Sequence, residues 1–106
     1  MQNRFAKGTR YKTQRIETEM PIPLQELLWQ SIDEWQAEGM KLDRLQVFRF
    51  ERIADGLYAI RHTQEQPNRA TVYYLPDDLG IASVVGKKVF VIDDGDYSTM
   101  LFADEY

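Results

Sequence analysis

The chain has 106 residues, 43% hydrophobic and 28% charged, with a net charge of −4, which fits one ordinary globular domain and neither a disordered segment nor two domains. It has no cysteine, which excludes disulfides, thiolate nucleophiles and cysteine metal sites, and its one histidine, His62, leaves no His–His metal pair. Its longest apolar runs, such as "VFVI", are far too short to span a bilayer, and its basic start "MQNRFAKGTRYK" lacks the apolar stretch of a secretory signal, so a soluble cytoplasmic protein with no membrane partner is expected.

In chain order, the first segment is a basic arm over residues 1–9, followed by a single domain over residues 10–106. Residues 1–16 carry Arg4, Lys7, Arg10, Lys12 and Arg15 and no acid, whereas residues 17–106 carry 8 basic and 17 acidic side chains. A positive arm on a negative body is a statement about partners rather than about fold. Either the arm lies along its own acidic body or is solvated, or it tracks phosphates, with Phe5 and Tyr11 interleaved among the cations.

"RYKTQRI" (10–16) has the β-branched and aromatic character of a strand. A helix is then expected over about 23–38. Pro23 stands near its first position, where a missing N–H costs nothing, and Gly39 follows it as the left-handed terminator. Leu24, Leu27, Leu28, Ser31, Ile32 and Trp35 share one face of this helix at 100° per residue. Its outer surface holds Glu26, Asp33, Glu34 and Glu38 and no base. Trp29 falls off the apolar face, beside Asp33. Either a loop or the arm covers it, or it is an aromatic anchor ringed by acids. On the second reading Trp29, Glu26 and Asp33 form the partner-binding candidates.

The remaining chain reads as strands. "LQVFRFERI" and "LYAIRHTQ" flank Asp55-Gly56, a strong two-residue hairpin signal. After a Pro67-Asn68 break come "ATVYYL", a "PDDLG" turn and "IASVV" (81–85), for which a strand is expected. "KVFVID" and "YSTMLF" flank Asp94-Gly95 in a second hairpin. There Val89, Val91, Met100 and Phe102 share one face and Phe90, Ile92, Tyr97 and Leu101 the other. Phe48 and Phe50 oppose Leu45, Val47 and Ile53 in the same two-sided way. A sheet with one wet side alternates cleanly, and this one does not. It must curl on itself or leave an apolar patch for another chain.

Asp93, Asp94 and Asp96 around Gly95 are a weak candidate metal cluster. They lack the ligand spacing and distal acid of a calcium loop, so a structural turn is expected, with Asp93 facing Asp96 across it. Ser31, Ser83 and Ser98 have no nucleophile-elbow glycines. His62 is placed across from Arg49 by the two-residue loop, where a cation disfavours the imidazolium. No P-loop or Gly-rich dinucleotide fingerprint is present, and no cofactor is expected.

Three stretches, "IPLQELLWQSIDE", "LDRLQVFRFE" and "GKKVFVIDDGDYSTMLFADEY", resemble a family of small proteins from Gram-positive bacteria. That family is a domain of unknown function named after its staphylococcal members. The resemblance spans residues 10–106, and the VIDDG-x-Y-x-TML ending carries most of its specificity. It implies no activity, cofactor or catalytic residue. Similar staphylococcal proteins occur on mobile resistance elements beside replication genes, which implies an accessory role in DNA transactions.

The expected fold is α+β, with one main amphipathic helix on a curved, mainly antiparallel sheet built from hairpins. The expected protein is a non-enzymatic protein–protein interaction or regulatory module whose partner is another protein or its own copy. One alternative is an accessory factor in DNA metabolism, binding single strands through the arm or imitating DNA with its acids. The other is a small enzyme using His62.

Overall fold

Eight regular elements are present in the computed structural model, which describes residues 4–77 and 79–106. They are β1 (Arg10–Lys12), α1 (Gln14–Glu19), α2 (Ile22–Ala37), β2 (Leu45–Ala54), β3 (Leu57–Gln64), β4 (Arg69–Leu75), β5 (Lys88–Asp93) and β6 (Ser98–Phe102). The first three residues of the expected arm, and Asp78 of the expected PDDLG turn, lie outside the described residues. The strands form one open sheet in the order β1-β6-β5-β2-β3-β4, antiparallel throughout except for β1 beside β6. The fold is α+β, and no helix among the described residues is long and apolar enough to cross a membrane.

Helix α2 has the boundaries its sequence suggests. Pro23 occupies its first turn. Gly39 follows the helix with φ of 81°, and the Met40 N–H returns to the Trp35 carbonyl at 3.0 Å, as in a left-handed helix stop. Leu24, Leu28, Ile32 and Trp35 are buried against Phe48, Phe50, Ile60, Val89, Val91, Met100 and Phe102. Helix α1 adds Ile16 to the same cluster, so both helices cover one face of the sheet, here called the inner face.

Four expectations need correction. "RYKTQRI" is not one strand: after three residues Thr13 caps α1, its hydroxyl accepting the Ile16 N–H at 3.3 Å. "IASVV" forms a 3₁₀ turn over Ile81–Val84 rather than a strand. Its two buried residues, Ile81 and Val84, are three apart, the spacing that aligns side chains at three residues per turn. Gly80 opens this turn with φ of 78°, and a Cβ there would stand 2.7 Å from Pro21 Cγ, so both conformation and space require glycine.

The hairpins supply the other two corrections. In the second, Asp93 pairs with Ser98 and residues 94–97 form the loop, so Asp93 does not face Asp96. The slip is two residues, which preserves the face of every side chain. Val89 and Val91 therefore remain with Met100 and Phe102 inside, and Phe90 and Ile92 with Leu101 outside. In the first hairpin Ala54 pairs with Leu57, as expected for the Asp55-Gly56 loop, but the register shifts between Arg52 and Ala54. One extra residue, Ile53, is accommodated as a bulge, and beyond it His62 stands opposite Phe48 instead of Arg49. A one-residue slip reverses the faces of a strand, so His62 enters the core.

The helix stop gives a direct test. Gly39→Val is expected to destabilise the domain by about 1–2 kcal/mol, because the left-handed conformation is costly for a β-branched residue although the space beside it is open. Chemical denaturation measures this, and an unchanged midpoint would contradict it.

Candidate functional site

The bulge assembles a buried polar chain under α2. His62 is fully buried, its ring stacked 3.7 Å from Trp35 and 4.3 Å from Phe48 between ring centroids. Its Nε2 lies 2.6 Å from Gln46 Oε1, and its Nδ1 lies 2.7 Å from Ser31 Oγ. The Gln46 amide nitrogen donates to Gln64 Oε1 and to the Asp43 carbonyl, so Gln46 Oε1 must accept, and Nε2 carries the proton. Ser31 Oγ also meets Tyr73 Oη at 2.8 Å, and Tyr73 reaches Glu34 at the surface at 3.3 Å. At the other end the Gln64 amide donates to the Lys41 and Pro67 carbonyls, tying together the loops at the end of β3.

The electrostatics follow from this packing. Burial first, and the charge of Arg69 second, push the His62 pKa down to about 3 from its ordinary 6.5. Burial likewise pushes the Tyr73 phenol up. The Ser31–His62 separation is that of a nucleophile and its base. Yet Ser31 is 3% exposed and both faces of the imidazole are covered. Chemically the arrangement holds a neutral histidine and specifies core register.

The charged candidates are dispersed in a different way. Asp93, at 4% exposure, accepts a hydrogen bond from Arg4 at 3.3 Å and another from the Gly95 N–H at 3.1 Å. Asp94 pairs instead with Arg44 at 3.3 Å. Among the described residues no three acids or histidines are gathered for a metal. Arg10 forks onto Asp33, donates to the Phe5 carbonyl at 3.0 Å, and lies 4.6 Å above the Trp29 ring. Arg10, at the start of β1, thus lies over Trp29, which stays half-buried, and Phe5 of the arm is itself buried in the core. Lys12 pairs with Glu17 and Arg15 with Glu19 and Asp104. Glu26 remains exposed and lines a 260 Å³ concavity with Trp29, Tyr11 and Ile22.

The side of the sheet away from α1 and α2 is its outer face. Cross-strand register places Leu101, Phe90, Val47, Thr63 and Ala70 in one row from β6 to β4. A parallel row holds Tyr11, Thr99, Ile92 and Leu45. Ile92 and Leu101 are buried here, yet they do not belong to the core beneath the helices. The Tyr106 ring meets Phe90 edge-on at 5.8 Å, and Tyr97 meets Tyr11 at 5.9 Å. Leu45, Val47 and Phe90 are half-buried, and a 460 Å³ concavity opens beside Leu45, Val47, Arg49 and Thr63. The open edge strands β1 and β4 show that the two-sided apolar pattern is not resolved by closing the sheet into a barrel.

Two helices on one face of an open, mainly antiparallel sheet, with an apolar second face, define a two-layer α+β domain. The chain belongs to the family described as staphylococcal protein of unknown function (DUF960), which matches residues 9–105. A crystal structure of a protein of unknown function from Enterococcus faecalis is similar over 100% of this chain and 98% of that one, with 25% identity and a TM-score of 0.81. Comparison with the curated proteins gives no match.

The neutral histidine makes stability depend on pH. Its folded-state pKa lies below the unfolded one, so the unfolded chain takes up the proton first as pH falls. The stabilisation is complete above about pH 6.5 and is lost progressively toward pH 3. A loss of about 2 kcal/mol is expected between pH 6.5 and 5, before most carboxylates titrate. Urea denaturation across this window checks it; His62→Gln should lose the slope, and an unchanged slope would assign it to other groups.

Proposed function

We propose that this chain is a small, non-enzymatic cytoplasmic interaction module that docks another protein on the outer face of its sheet. The observation that carries this reading is the apolar row across that face, centred on Phe90 and Val47, on the side of the sheet away from α1 and α2. Exposed apolar surface rimmed by polar residues is the ordinary mark of an interaction site. The flat burial of His62 between two aromatic rings supports the non-enzymatic part of the reading. The ion pairs of Arg4, Arg10, Lys12 and Arg15 favour a protein-directed role over phosphate tracking by the arm.

A second docking region is favoured by the concavity beside Trp29 and Glu26, with Asp33 fixing the arm at its border. The two regions are separable by mutation. Val47→Asp is expected to abolish co-purification of a bound protein while leaving the denaturation midpoint within about 1 kcal/mol of the parent. Trp29→Ala should leave that co-purification intact if the sheet face is the main site. Affinity capture with both variants, alongside sedimentation velocity for self-association, measures this. Retention by Val47→Asp with loss by Trp29→Ala would move the site to α2, and retention by both would overturn the reading.

A further inference from the structure

The register of the outer face brings three cations into one line. Lys88 on β5 stands opposite Arg49 on β2, and Arg49 stands opposite Arg61 on β3. Directly opposed side chains on a sheet face are about 5 Å apart, and like charges there are unfavourable. Among the described residues Arg61 pairs with Glu51 alone, at 3.5 Å. Lys88 lies over the Phe90 ring, 5.7 Å from its centroid. Among the described residues neither Lys88 nor Arg49 has a carboxylate partner, although the chain carries 17 acids against 13 bases.

We infer that the Lys88–Arg49–Arg61 row is a binding subsite for carboxylates of an acidic, partly apolar protein segment lying across the outer face. The inference rests on the outer face being the docking surface, and it names the chemistry of the partner. The neighbouring row supplies the apolar half of the match, with Phe90 beside Lys88 and Val47 beside Arg49 along their strands. Arg49 stands between two concavities, one of 460 Å³ shared with Val47 and Thr63 and one of 250 Å³ shared with Glu51, Lys87 and Lys88. Carboxylates over the cation row and apolar side chains over Phe90 and Val47 would satisfy both rows together. Like charge opposed at Lys88 and Arg49 is a local cost to the free protein, and an anionic partner removes it.

A nucleic-acid strand fits less well. Single strands are held by rings that present a free face to each base, whereas Phe90 and Tyr11 are already engaged by Tyr106 and Tyr97. A polyphosphate would also extend into the field of a protein with net charge −4.

The test uses the full chain, isotope-labelled, titrated separately with a capped peptide of alternating glutamate and valine, with its lysine–valine counterpart and with oligothymidylate. The expected result is binding of the glutamate peptide alone, with amide shifts centred on Arg49, Arg61, Lys88 and Phe90. The double substitution Arg49→Gln with Lys88→Gln should weaken it about tenfold, while Arg52→Gln at the hairpin tip changes it less than about twofold. The same double variant, without ligand, should show a higher denaturation midpoint at low salt and a smaller gain at high salt. Absence of shifts on this row, equal loss from Arg52→Gln, or preference for oligothymidylate would overturn the inference. A protein partner lost by Val47→Asp but retained by the double variant would overturn it too, while leaving the docking face in place.

Discussion

One extra residue in β2 decides what faces the core. Ile53 is bulged out of the first hairpin, and every pair of β2 and β3 beyond it depends on that shift. Without it His62 and Gln64 would point away from α2, and Arg61 would point beneath the helix, where a lone guanidinium has no partner. With it, Tyr58, Ile60, His62 and Gln64 join Gln46, Phe48 and Phe50 on the inner face. The same shift sets Arg49 opposite Arg61 outside. The neutral imidazole and the cation row are therefore two results of a single change in register.

The charge segregation of the sequence has a structural outcome of its own. The basic segment does not stand away from the acidic body. Arg10 closes over Trp29 and Asp33, Arg4 reaches the hairpin at Asp93, and Arg15 bridges α1 to the turn after β6. Exposed ion pairs of this kind are individually weak, but Arg10 and Asp93 are substantially buried. Phe5 then fixes the segment by packing into the core, which no sum of surface charges would do. The net effect is that most of the early cations are internally matched; among the described residues the cations without a carboxylate partner are Lys7, Lys41, Arg49 and Lys88, and the last two stand opposed on the outer face of the sheet.

What could be read from the sequence, and what could not, divides by the range of the interactions involved. Helix α2 was legible because Pro23 and Gly39 act locally at its ends, and the Asp55-Gly56 turn because two residues determine it. The faces of β5 and β6 were legible despite a wrong loop length, since a slip of two residues leaves alternation unchanged. The bulge was not legible, because Ile53 resembles any other strand residue until its partners are known. The error in placing His62 followed from that alone. A signal was nonetheless present: Gln46-Phe48-Phe50 and Ile60-His62-Gln64 alternate as if each set shared a face. Thr13, a good helix cap, marked the break inside "RYKTQRI", and the Ile81–Val84 spacing marked the 3₁₀ turn. The cation row was hidden because it exists only across strands.

The pairing of β1 with β6 bears on how the chain is made. Arg10 aligns with Ser98 and Lys12 with Met100, so the first strand finds its neighbour only after nearly all of the described chain has been synthesised. Chains emerge from the ribosome at about 5–20 residues per second, and closing so long a loop carries an entropic cost that local hairpins do not. The hairpins of β2 with β3 and β5 with β6 can form as they emerge, while β1 waits. During that interval Lys12 can already meet Glu17 and Gln25 and Arg10 can meet Asp33, whereas Asp93 and Asp104 come last. Completion of the sheet therefore depends on translation reaching β6.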